Sequence, residues 1–199
     1  MSSAESRLHR AVLAVGSLNL AYFFVEFGVA RSIGSVSLFA DSIDFLEDAS
    51  VNFLVLAALG WTARRRAAVG VVLAALLLVP GIATAWMAWS KFQQPVPPSE
   101  LPMSLTGLGA LAVNVACAFM LVQVRNVAGS LSRAAFLSAR NDAFANGAII
   151  LAAVVTHFWA SAWPDLLVGA GIFLLNLGAA HEVYEAAHKE ARHSARHAA

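Results

Sequence analysis

The chain has 199 residues, 59% hydrophobic and only 13% charged, with a net charge of +1 and a mean hydropathy of +0.70. A soluble domain sits nearer half apolar with about a quarter charged, and the excess here falls in runs long enough to cross a roughly 30 Å hydrocarbon core, so a soluble domain is excluded. At a net charge of +1 no large basic face suggests nucleic acid, and the single Cys117 excludes an intramolecular disulfide or a Cys-based zinc finger.

Six apolar spans are predicted, at Ala11–Ala30, Val36–Trp61, Ala67–Trp89, Met103–Val124, Ala134–Phe158 and Pro164–His181. Breakers separate them: Arg31 to Gly34, Arg64-Arg65-Arg66, the proline-rich Gln93–Pro102, Gly129-Ser130, and Ala160 to Pro164. The N-terminus runs into the first span without a small-residue cleavage pattern, which reads as a retained helix and not a signal peptide. That span carries Asn19 and Glu26. Asn19, like Asn114 and Asn176 in later spans, is expected to hydrogen-bond between helices, while Glu26 is a candidate for the proton path.

The second span holds the most demanding chemistry. Asp41, Asp44, Glu47 and Asp48 lie inside an apolar helix, where each charge at mid-bilayer costs on the order of 2.5–3.5 kcal/mol. Asp41, Asp44 and Asp48 follow i, i+3, i+7 spacing and share one face, extended by Asn52, with Glu47 on a neighbouring face. A bound cation or exchangeable protons would compensate them. The fifth span carries a matching stripe of Ser138, Asp142 and Asn146 at i, i+4, i+8, with Asn141 beside it. Two such helices side by side would make an oxygen-rich site. Arg140 is the one basic residue near this depth, and a single arginine cannot neutralise four acids.

Arg7, Arg10, Arg64, Arg65, Arg66, Arg125, Arg133, Arg140, Lys189, Arg192 and Arg196 fall on one side of the predicted spans, against Arg31 and Lys91 on the other. This bias places both termini in the cytoplasm. Counted from span ends at 1.5 Å per residue, Asp44 and Asp48 lie roughly 12 and 18 Å below the outer boundary, level with Asn146 and Asp142 respectively. Trp61, Trp86, Trp89, Trp159 and Trp163 cluster at span ends, as interfacial aromatics do. His157 reads as another interfacial group, and Gly169-Ala170-Gly171 as a site of close helix contact. The expected fold is thus an all-α integral membrane bundle of six transmembrane helices over 1–181. A short tail over 182–199 follows. Its His188, His193 and His197, with His181 above them, read as a solvated extension before a metal-capturing one.

With these residues in view, the chain resembles the cation diffusion facilitator family of metal transporters, in a short form lacking the C-terminal cytoplasmic domain. The resemblance rests on Asn19 and Glu26, on Ser35-Val36-Ser37-Leu38-Phe39-Ala40-Asp41 with the Asp44-x-x-x-Asp48 pair, on Asp142-Ala143-Phe144-Ala145-Asn146-Gly147, and on Pro164-Asp165-Leu166-Leu167-Val168-Gly169. It implies a tetrahedral transport site with Asp44 and Asp48 from the second span and Asp142 and the Ser138 position from the fifth. Ser138 stands where the family usually has histidine or aspartate, and a serine hydroxyl is a poor zinc ligand. Asn146, Asn141, water or Glu47 can complete such a site, and an all-oxygen shell suits a harder cation such as manganese or magnesium. Asp41 and Glu47 can equally support the site from outside.

The expected function is secondary active export of a divalent metal cation (zinc, cobalt, cadmium, manganese or iron class) from the cytoplasm in exchange for protons. No permanently bound cofactor is expected. The expected setting is a bacterial-type inner membrane, with a homodimer formed through the membrane helices. No Gly-x-x-x-x-Gly-Lys-Ser/Thr loop is present to supply ATP chemistry. The alternative is a metal-dependent integral membrane enzyme acting on lipids, although such enzymes keep their acids near the interface with an Asp-Gly framework, and no Asp-Gly occurs here.

Overall fold

A computed structural model describes residues 3–58, 81–128 and 130–176, with side chains undescribed over 3–5, at 55, 57 and 58, and over 124–140. Helices joined by short connections make up these residues, with no strand among them. The elements are α1 (Ser3–Ile33), α2 (Val36–Ala58), α3 (helical from 81 to 93), α4 (Glu100–Ala128), α5 (Ser130–Phe158) and α6 (Trp163–Asn176). Helix α1 starts well before the predicted Ala11, because Ser3–Arg10 continues its hydrogen-bonded ladder beyond the apolar stretch. Helix α4 likewise runs past the predicted Val124. Most of the predicted third span, the Arg64-Arg65-Arg66 loop and the tail with its histidines lie outside the described residues.

Two of the described helices are long and apolar enough to cross a membrane, over Ser6–Ile33 and Glu100–Gln123, and α6 is a shorter apolar helix. Helices α2 and α5 reach the length but carry Asp41, Asp44, Glu47 and Asp48, and Arg133, Arg140 and Asp142, respectively. Helix α1 packs against α2 and α4, α4 against α5, and α2 against both α4 and α5. The core gathers where α1 ends and α2 begins. There Ala30, Leu38, Phe39, Ala40, Met103, Ile149 and Ile172 bury together. A smaller group, Val15, Cys117 and Leu121, joins α1 to α4 in the other half of the bundle.

The α1–α2 turn sets this geometry. Gly34 has φ of 66°, the left-handed conformation that glycine tolerates, and the Ser35 amide donates back to the Ala30 carbonyl at 3.0 Å, closing α1 in a Schellman motif. Ser35 then begins α2: its Oγ accepts from the Leu38 amide at 3.2 Å, an N-cap bond. From α6, Asp165 reaches the same helix start and is fully buried. Its Oδ1 accepts from Ser35 Oγ (2.7 Å), Ser37 N (3.0 Å) and Ser37 Oγ (2.6 Å), and its Oδ2 from Val36 N (2.9 Å). Lys91 at the end of α3 completes the knot, donating to Asp165 Oδ2 at 2.8 Å and to the Gly34 carbonyl at 2.6 Å.

Each link has a physical cause. A carboxylate at a helix N-terminus satisfies orphan amides and complements the dipole, and the buried ammonium balances its charge. Close approach makes it possible: a Cβ on Gly169 would lie 2.8 Å from backbone atoms of Val36 and Ser37, so α6 meets α2 at this register only with glycine there. Lys91, which the spans predict as an outer-loop cation, is in fact buried. Asp165→Ala would strand the Lys91 charge and is expected to destabilise the protein by about 3–5 kcal/mol. Thermal unfolding in detergent would register this as a large fall in midpoint, with Asp165→Asn falling less.

Candidate metal centre

Helix α2 turns its acids inward one after another. Asp41, nearest the helix start, is fully buried, whereas Asp44, Glu47 and Asp48 are half-buried along the wall that follows. Across from them, α5 presents Asp142, half-buried, and Asn146, fully buried, while Asn141 is exposed. Asp44 and Asp142 sit in each other's electrostatic field, as do Asp48 and Asp142, with Asp41 and Glu47 adding to the repulsion. Negative charge from two contacting helices therefore concentrates between α2 and α5. Among the described residues no three His, Cys, Asp or Glu side chains stand close enough together to hold a metal ion. The side chains of Ser138 and Arg140 lie outside the described residues.

Specific hydrogen bonds fix the surroundings. Asn146 Nδ2 donates to Asp41 Oδ2 at 2.7 Å, so α2 and α5 are stitched at Asp41. The level expected from span boundaries, Asn146 with Asp44, is displaced by three residues, which at 1.5 Å per residue is about 4.5 Å and under one turn. The displacement follows from α2 beginning at the Ser35 cap, which sets its depth independently of where apolar residues begin. Asn19 donates to Asp48 Oδ2 at 3.5 Å and accepts from the Cys117 thiol at 3.5 Å. It thus makes the interhelical contact its sequence position suggests, and it does so onto one of the candidate acids. Asn52 instead folds back, donating to the Asp48 carbonyl at 2.7 Å.

Glu26 on α1 is fully buried and faces Asp41, which draws it into the candidate region. On the same helix, the Tyr22 hydroxyl donates to the Thr106 carbonyl at 2.6 Å, pinning α1 to α4 beside the acids. His157 is exposed and lies 3.3 Å from Glu100, joining the end of α5 to the start of α4. The sequence reading passed over the pairing of Lys91 with Asp165. Its signal was two lone opposite charges flanking apolar spans, one ahead of Pro95 and one directly after Pro164.

Buried and half-buried carboxylates on the facing apolar helices α2 and α5 are what a membrane domain that handles cations requires. The model of the cation efflux transmembrane domain matches residues 12–188 of the chain. The protein belongs to that family, the cation diffusion facilitators. It is accordingly an integral membrane protein and a metal cation transporter, and it is not an enzyme. The lipid-enzyme alternative has no support. No curated protein matches the sequence.

The stitch at Asp41 is directly testable. Asn146→Ala removes the one donor on Asp41 Oδ2, and stranding a buried acceptor costs about 1–3 kcal/mol. A corresponding drop in thermal stability is expected in detergent, whereas Asn141→Ala at the exposed neighbouring position should leave it unchanged.

Proposed function

We propose that the chain is a secondary active transporter that exports a divalent metal cation in exchange for protons, with Asp44, Asp48 and Asp142 as the ion-binding carboxylates. The observation that carries this reading is the α2–α5 contact, fixed at Asp41 and Asn146 by a 2.7 Å hydrogen bond, with half-buried Asp44 and Asp48 following on one helix and half-buried Asp142 on the other. Half-buried acids on facing helices repel one another, and a divalent cation drawn between them would relieve that repulsion. When the ion leaves, protons can take its place, because coupled carboxylates bind either protons or metal. The same groups therefore favour one occupant at a time, which is the thermodynamic basis of antiport.

The fourth position falls to residue 138, where a serine supplies only a neutral hydroxyl. An oxygen-only shell favours manganese or magnesium-like ions over zinc. Glu47, half-buried beside the triad, is a further oxygen ligand in reserve, with Asn141 on the same part of α5. Asn146 has its amide engaged with Asp41 and supports the site by fixing α2 against α5. Asn19 steadies Asp48 in the same supporting sense. Movement of one part of the bundle against another would expose the ion alternately to the two sides.

The topology belonging to this reading has six spans with both termini in the cytoplasm, in a bacterial-type inner membrane, and a homodimer joined through membrane helices. The bias of basic residues supports the orientation.

Reconstitution in liposomes with a panel of divalent ions under a pH gradient tests the function. Asp48→Asn and Asp142→Asn should each lower metal uptake by about tenfold or more while the protein remains monodisperse, the scale expected for damaged metal sites. Normal uptake in either variant would move the site elsewhere. Ser138→His should raise zinc uptake relative to manganese. An unchanged ratio would place residue 138 outside the coordination shell.

A further inference from the structure

Glu26 on α1, Asp41 on α2 and Asn146 on α5 form a second polar cluster, nearer the α1–α2 turn than the carboxylates assigned to the metal. All three residues are buried to 1% exposure or less. Among them Asn146 Nδ2 to Asp41 Oδ2 is satisfied at 2.7 Å. Among the described residues four oxygens are left with no donor: both Oε atoms of Glu26, Oδ1 of Asp41 and Oδ1 of Asn146. Every one of them is an acceptor. Buried acceptors without donors are expensive, and buried carboxylates far more so.

Among the described residues none offers the missing positive charge. Titratable groups acting on the pair are Tyr22 on α1, Asp44 and Asp48 on α2, and Asp142 on α5, all neutral or acidic. Tyr22 spends its hydroxyl proton on the Thr106 carbonyl, and Glu26, Asp41 and Asn146 are themselves fully withdrawn from solvent. The contrast with Asp165 is instructive. That equally buried carboxylate receives five donors, one of them the Lys91 ammonium.

We infer that Glu26, Asp41 and Asn146 form a binding site for one small monovalent cation, separate from the divalent-metal carboxylates and held between α1, α2 and α5. If the occupant is a proton, it sits on a Glu26 oxygen as an O–H donated to Asp41 Oδ1, lowering the pair from two negative charges to one. If it is an alkali ion, the same oxygens ligate it directly. In either case it is the ion moved against the metal. That last role rests on the transport reading above, whereas occupancy of the site does not. Since Asn146 ties Asp41 to α5, filling or emptying the site bears on the α2–α5 contact that also frames Asp44 and Asp142.

Infrared difference spectroscopy on the full chain reconstituted in lipid, with no divalent metal present, reads the occupant. Proton concentration is stepped at fixed sodium, and then sodium at fixed pH. The wild-type protein and Asp48→Asn should share a carboxyl difference band that Glu26→Gln and Asp41→Asn both lose. A band that follows the proton step identifies a proton, and one that follows the sodium step an alkali ion. Retention of the full band in both Glu26→Gln and Asp41→Asn overturns the site. Two variants at separate positions keep the test decisive if one fails to fold, and Glu26→Asp should restore part of the band. A wild-type protein that moves no divalent ion would sink the transport reading and leave this result standing.

Discussion

A carboxylate withdrawn from water has to be given donors, a counter-charge or an ion, and the bundle is organised by how fully it meets that demand at successive depths. At the knot beside the α1–α2 turn Asp165 is completely provided for, with backbone amides, two serine hydroxyls and Lys91. At the next level inward Asp41 has one amide from Asn146, and Glu26 opposite it has none. Further along α2, Asp44 and Asp48 meet the field of Asp142. On the proposed reading, the static parts are those whose charges the chain itself neutralises, and the parts that would exchange ions are those whose charges it does not.

The knot explains why such a gradient can persist. Like charges packed into a helix pair tend to push it apart, so the helices must be held by contacts elsewhere. Asp165 joins α6 to the first residues of α2, Lys91 adds α3 and the α1–α2 turn, and the buried group around Leu38, Met103 and Ile149 seals the same end. Helix α2 is therefore anchored at its start, and its acids follow at fixed register from that anchor. In a bilayer, where lipid removes the hydrophobic drive for helix association, such polar stitches and close glycine contacts carry much of the specificity.

Much of this was legible in the sequence. Apolar run length marked the membrane class, the i, i+3, i+7 spacing put Asp41, Asp44 and Asp48 on one face, and the stripe on α5 identified the partner helix. Asn19 was expected to bond between helices and does. What could not be read was anything set by three-dimensional register. Span edges judged from hydropathy misplaced Asn146 by three residues, since the Ser35 cap and not the apolar boundary fixes where α2 begins. Lys91 looked like a solvated loop cation because its partner lies 74 positions away along the chain. Pairing across such a distance leaves no local periodic trace, only two lone charges beside prolines.

The separation between Asp41 and Asp44 matters most for how the family's chemistry is realised in this chain. Three residues along a helix is under one turn, yet on one side of that step the carboxylate is sealed and stitched to α5, and on the other it is half-open to its surroundings. On the proposed reading, an ion arriving at Asp44 would change the field felt by Asp41, and thereby the hold of Asn146 on it, without touching either. Asp41 also faces Glu26 of α1, so the same change is felt by a third helix. Coupling between an ion site and a helix–helix contact requires a shared charge and a bond that depends on it. Asp41 supplies both.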